Sequence, residues 1–156
     1  MAGTLRVLLF RSTEQEIPGA VPLAAGSGLA LLPLTGELGD DERVAGFYDL
    51  TTGIAERARE LSRRGTVAYL HSEFFGGGGF HAAIAWRDGE VAWGPRFTAN
   101  MPGEGDKHYV VVDHRDGMAA NALLRWLGVR RGDAIDEYAA AGLNRHRHSE
   151  QWAEGE

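Results

Sequence analysis

The chain has 156 residues, 44% of them hydrophobic and 24% charged, with 22 acidic against 16 basic side chains and a formal charge of −6. These values suit one soluble domain with a sizeable core, and the field they create opposes a phosphate backbone, so a basic protein is a more natural partner than nucleic acid. The absence of cysteine removes disulfides, thiolate metal sites, iron–sulfur clusters and cysteine nucleophiles together.

Thr4 to Phe10 is a continuous apolar run, too short for a signal peptide, and its length and Leu/Val content fit a buried strand. No run nears the roughly 18 apolar residues of a membrane span, so the cytoplasm is the expected location. From Arg11 to Ser27 the pattern dissolves into Ser, Glu, Pro and Gly, which reads as a long connection. Gly28 to Thr35 is apolar again, but Pro33 inside it limits the segment to an edge strand or to one that stops there. Gly36 to Arg43 carries Glu37, Asp40, Asp41 and Glu42, an acidic cluster on a loop or a first helical turn.

Leu50, Ile54, Ala58 and Leu61 then mark one face of a helix that Asp49 or Thr51 can cap and Gly65 can close. Thr66 to Phe75 alternates with period two, placing Val67, Tyr69, His71, Glu73 and Phe75 on one side and Ala68, Leu70, Ser72 and Phe74 on the other. Phe80 to Arg87 and Glu90 to Phe97 flank Asp88-Gly89, a strong hairpin signal whose register pairs Arg87 with Glu90 and Trp86 with Val91. Tyr109 to Val112 is a further short strand, and Ala119, Ala120, Leu123, Leu124 and Leu127 form an amphipathic helix closed by Gly128. Asp133 can cap a last short helix with Ile135, Tyr138 and Ala139 facing inward and Gly142 at its end.

This order predicts a single α+β domain over residues 1–156: an antiparallel sheet of about four to six strands with a central meander, and three or four helices mainly on one face. A candidate flexible tail begins at about residue 149 and follows Arg145, His146, Arg147 and His148.

Gly76, Gly77, Gly78 and Gly79 stand in a row between Phe75 and Phe80. Four glycines lose a great deal of backbone freedom on folding, so they are expected where the chain needs unusual dihedral angles or very close approach by another group. A phosphate loop does not fit, because Gly79 enters the apolar strand of Phe80 to Ile84 and no Lys-Ser or Lys-Thr opens a helix there. The bland reading is a bent strand connection that admits the rings of Phe74, Phe75 or Phe80. The sharper reading is an exposed backbone against which a partner lies.

Of the histidines, His71 and His81 flank the glycines and, with Glu73, make the candidate metal set; there is no His-Glu-x-x-His helix, and solvated or hydrogen-bonded histidines are the competing explanation. Ser72 lies between His71 and Glu73, but neighbours on a strand point to opposite faces, so the three are not a nucleophile–base pair. No catalytic residue and no cofactor is expected from these patterns.

The stretch Val67-Ala68-Tyr69, then Glu73-Phe74-Phe75-Gly76-Gly77-x-Gly79, then Ala83-x-Ala85-Trp86-x-Asp88-Gly89, followed by Ala-Leu-Leu-Arg-Trp-Leu-Gly-Val and Gly142-Leu143-Asn144-Arg145-His146-Arg147, resembles a group of small uncharacterised bacterial proteins that are loosely similar to stand-alone immunity-type proteins. The resemblance covers about the C-terminal two-thirds and implies binding of another protein, with no assigned catalytic residue. The expectation is therefore an acidic binding protein, an immunity-type inhibitor of a basic toxin or enzyme, whose surface is Glu73, Phe74, Phe75, Gly76 to Gly79, Asp40 and Asp41. The alternative is a metal-dependent enzyme using His71, Glu73 and His81, in which the metal would polarise a bound water. A homodimer through an exposed strand edge is compatible with either.

Overall fold

The structure is a computed structural model and describes residues 2–36, 41–75 and 78–154. Its strands are β1 (Ala2–Arg11), β2 (Val21–Pro22), β3 (Leu29–Pro33), β4 (Val67–Phe75), β5 (Gly78–Arg87), β6 (Glu90–Ala99) and β7 (Val110–Val111); its helices are α1 (Thr52–Leu61), α2 (Ala119–Trp126), α3 (Glu137–Ala140) and α4 (Ser149–Ala153). The α+β class holds. The sheet, however, has seven strands in the order β2-β3-β1-β4-β5-β6-β7 and is mixed, because β7 runs parallel to β6 while the other neighbours are antiparallel. Four to six strands undercounted it: Val21–Pro22 is a two-residue edge strand inside the segment read as a connection, a position where proline is tolerated.

The apolar run of β1 has a simple cause. Leu5, Val7 and Leu9 face one core with Leu70 of β4 and Leu123 and Leu124 of α2, while Leu8 and Phe10 face a second core with Tyr69, Ile84, Trp86 and Ala58 of α1. A strand buried on both sides has no polar face to show. Full burial of each such large side chain contributes about 1.5–3 kcal/mol, so both faces of the central strands are strongly held. Helices consequently lie on both faces: α2, α3 and α4 on one, and α1 with Phe47 and Leu50 on the other.

Local signals place the elements. Thr51 caps α1 by accepting the Ile54 amide at 3.2 Å, but the helix ends at Ser62, short of Gly65. Asp88 and Gly89 take positive φ angles of 54° and 81°, and the hairpin pairs Arg87 with Glu90 and Trp86 with Val91 as the turn demands. Gly128 and Gly142 close α2 and α3 in the left-handed region. The cap of α3 is Asp136, whose carboxylate accepts the Ala139 amide at 2.8 Å; Asp133 lies too early, and Ile135, expected inside, is 60% exposed.

The segment from about residue 149 is α4, whose Trp152 is fully buried and whose Ser149 hydroxyl bonds both the amide and the carbonyl of Arg6. The Arg-His run before it docks on the domain: the Arg145 guanidinium lies 4.8 Å from the Trp152 ring centre and that of Arg147 lies 5.9 Å from the Phe74 ring centre. No helix among the described residues is long and apolar enough to cross a membrane.

Candidate functional site

β4 and β5 pair from Val67–Trp86 to Phe75–Gly78, so the glycine run sits at the end of this hairpin. Gly76 and Gly77 lie outside the described residues, as does Asp40. The chain itself uses the bareness of the other two glycines. A Cβ on Gly79 would collide with the Glu73 carbonyl oxygen, and one on Gly78 would collide with the Glu104 carboxylate. The Gly79 amide also donates to Asn100 Oδ1 at 2.9 Å, and the Asn100 amide donates back to the Gly79 carbonyl at 3.2 Å. At Gly79 glycine serves close packing against fixed backbone rather than a free platform, whereas the group beside Gly78 is the end of a flexible side chain; the groups admitted are a carbonyl and a carboxylate instead of aromatic rings.

Strand alternation then divides the side chains between two faces. Phe80 pairs with Glu73 and His81 pairs with Ser72, so His71 and Glu73 lie on the α1 side whereas His81 and Phe74 lie on the α2 side. The set His71, Glu73 and His81 therefore does not assemble, because the sheet stands between its members. Asp49, from the segment before α1, takes the third place: His71 Nε2 donates to Glu73 Oε2 at 2.7 Å and lies 3.4 Å from Asp49 Oδ2. Thr4 Oγ1 donates to Glu73 Oε1 at 2.9 Å, and Arg6 Nε is 3.9 Å from Asp49 Oδ2. Burial by itself would raise the Glu73 carboxyl, but hydrogen bonds from His71 and Thr4 and the charges of His71 and Arg6 hold it below the ordinary carboxylate value.

The donor atoms of Asp49, His71 and Glu73 lie within 4.8 Å of one another, close enough to be tested as a metal cradle. They fit one poorly. The metal-facing nitrogen of His71 is engaged by Glu73, the Arg6 guanidinium approaches Asp49, and His71 Nδ1 is buried without the acceptor that a ligating histidine normally uses to fix its ring. The arrangement reads as a charge-compensated network that ties β1, β4 and the α1 approach together.

The opposite face holds open space. A hollow of about 310 Å3 lies beside Gly78 and Gly79, walled by Phe74, His81, Met118 and Tyr138, with Arg115 and Arg147 also lining it. A second hollow of about 240 Å3 shares Phe74, Asp136, Tyr138 and Arg147 with the first and extends to the exposed Ile135. His81 Nδ1 accepts the Ala120 amide at 3.2 Å and Thr98 Oγ1 accepts the Ala119 amide at 2.8 Å, so two sheet side chains cap the start of α2, which lacks a cap of its own. Burial, reinforced by the charge of His71, pushes His81 down to about 4, so its ring is neutral at pH 7. With Nδ1 accepting, the proton resides on Nε2. Its ring stacks on Tyr138 at 6.4 Å with 17° between planes. The Tyr138 hydroxyl is buried without a partner, and burial together with the Asp136 charge raises it above the ordinary phenol value against the opposing charge of Arg147.

Of the expected surface, the structure brings Phe74, Gly78 and Gly79 to the larger hollow, where Glu73 contributes its main chain while its carboxylate is held on the other face. Asp41 is exposed in the segment leading to α1 and lines neither hollow. Sequence reasoning missed Tyr138, Arg115 and Asn121 as members of the site. The hairpin register could have moved His81 to the Ser72 face; nothing local indicates that α2 and α3 converge there.

No protein-family model, no curated protein and no solved structure matches this chain.

Proposed function

We propose that this chain works by binding another protein, as an immunity-type inhibitor does, and that its recognition face is the α2–α3 side at the glycine end of the β4–β5 hairpin. The observation that carries this reading is the pair of adjoining hollows with common walls in Phe74, Asp136, Tyr138 and Arg147 and the exposed Ile135 at the rim. An aromatic wall, an arginine and an unburied aliphatic side chain around a concavity are the ingredients of an interface centre, where a few residues dominate affinity. The net charge of −6 favours approach of a basic partner at long range.

The test uses the intact chain as bait in extract of its source, identification of the retained protein, and calorimetry with that protein once purified. Phe74→Ala and Ile135→Asp are each expected to weaken binding at least tenfold while the circular-dichroism spectrum stays that of the wild type. Full affinity in both variants would overturn the assignment of this face.

A further inference from the structure

Resting on that reading, we propose that the group received by the larger hollow is a carboxylate, supplied by an acidic side chain or the chain terminus of the bound protein. The hydrogen-bonding capacity of the walls carries this inference. Both acidic residues of the lining already hold donors: Asp136 Oδ1 accepts the Ala139 amide and Oδ2 the Asn121 side-chain amide, while Glu73 accepts from Thr4 and His71 on the far side of the sheet. The Asn121 amide is engaged at both ends, donating to the Arg115 carbonyl and to Asp136 and accepting from the Tyr138 amide.

Three groups remain without a hydrogen-bond or ion-pair partner among the described residues: the Tyr138 hydroxyl, His81 Nε2 and the Arg115 guanidinium. Each carries an available N–H or O–H at neutral pH, and two of them carry no acceptor at all. The Tyr138 hydroxyl is buried without an acceptor, which costs free energy, and His81 and the exposed Arg115 bring further N–H donors to the same concavity. An anionic oxygen pair supplies the missing acceptors, and hydrogen bonds to a charged group are the stronger kind. The volume of about 310 Å3 lies at the lower end of the roughly 300–1,000 Å3 of small-molecule sites, which suits a side chain or a small acid better than a large cofactor. The rings of Phe74 and Tyr138 and the Met118 side chain offer an apolar wall for the methylenes that carry the carboxylate.

The experiment is an NMR titration of the isotope-labelled chain at pH 7 with the α-amides of N-acetyl-glutamate, N-acetyl-glutamine and N-acetyl-arginine as separate probes, so that the glutamate probe alone carries a carboxylate. The expected result is saturable movement of the His81 imidazole and Tyr138 ring signals with the glutamate probe in the millimolar range, and at least tenfold weaker response to the two other probes. Saturation should also raise the His81 titration midpoint, since a nearby negative charge favours the imidazolium. Tyr138→Phe and Arg115→Gln, verified as folded by their amide spectra, should each lose at least threefold in affinity for the glutamate probe.

Equal response to the glutamine probe, preference for the arginine probe, or no saturation with any of them would overturn the carboxylate assignment. The two readings fail separately. Partner binding that depends on Ile135 without any carboxylate response would leave the recognition face standing and sink the anchor. A carboxylate response with partner binding indifferent to Phe74 and Ile135 would identify a site for a free acid and sink the recognition face.

Discussion

The two faces of the sheet at the glycine end of the β4–β5 hairpin are built from neighbouring residues and do opposite things. On the α1 side, Asp49, His71, Glu73, Thr4 and Arg6 direct their charges and hydrogen bonds at one another. On the α2 side, His81, Tyr138 and Arg115 line a hollow, and the Tyr138 hydroxyl is buried without a partner. The contrast teaches that the presence of titratable side chains is a poor guide to a site: the more charged cluster is occupied by its own ion pairs, although His71 Nδ1 and Arg6 Nε lack hydrogen-bond partners, while the less charged one borders an open hollow. Period-two alternation separates them, since Glu73 and Phe74 differ by one residue and by the thickness of the sheet.

The largest expected effect comes from breaking the structure common to both faces. Gly79→Val places a side chain against the Glu73 carbonyl at the end of the hairpin, and we expect it to lower stability by more than about 3 kcal/mol, read as a denaturation midpoint. A wild-type midpoint in this variant would show that the close approach at Gly79 is unimportant.

The next two predictions use acid to tell the faces apart. His81 has its titration depressed from 6.5 to about 4 in the folded chain. The unfolded chain therefore binds the proton first on acidification, and the contribution is present above pH 6.5 and is lost as the pH falls toward 4. The loss amounts to about 3 kcal/mol across that window. His81→Asn retains an acceptor for the Ala120 amide and cannot titrate, so its stability should be flatter between pH 6.5 and 4; a slope equal to that of the wild type would contradict the assignment. Glu73 is also depressed, so its contribution is present above its unfolded value of about 4.3 and disappears as the pH falls through the lower folded value. Glu73→Gln should cost about 2 kcal/mol at pH 7 and flatten the curve only below that point, with little change between pH 5 and 7.

The smallest effect is the sharpest between the faces. Tyr138→Phe removes a buried hydroxyl that has no partner in the free chain, so thermal stability should stay level or rise by up to about 1 kcal/mol. A clear loss of stability would mean that the hydroxyl is satisfied within the fold, and the open-donor account of the α2 side would fail.

Much of the fold was legible because its signals are local. The Leu5 to Phe10 run, the Asp88-Gly89 turn with its register, Thr51 as a cap and the glycines that close α2 and α3 each rest on residues adjacent in sequence. The expectation of helices mainly on one face matches α2, α3 and α4, whereas α1 on the opposite face was not foreseen. What was not legible is long-range: β7 lying parallel to β6, the meeting of Asp49 with His71, and the convergence of Arg115, Tyr138 and Arg147 on His81. Ile135 shows the same limit, since its apolar character suggested the core and the loop before Asp136 turns it outward.

The most direct test of which face recognises is hydrogen–deuterium exchange of the intact chain with and without its purified partner. The account expects new protection over residues 73–81, 115–121 and 135–147, with the 41–61 segment unchanged. Protection confined to the Asp41 to α1 side, with the hollows exchanging as in the free chain, would contradict it.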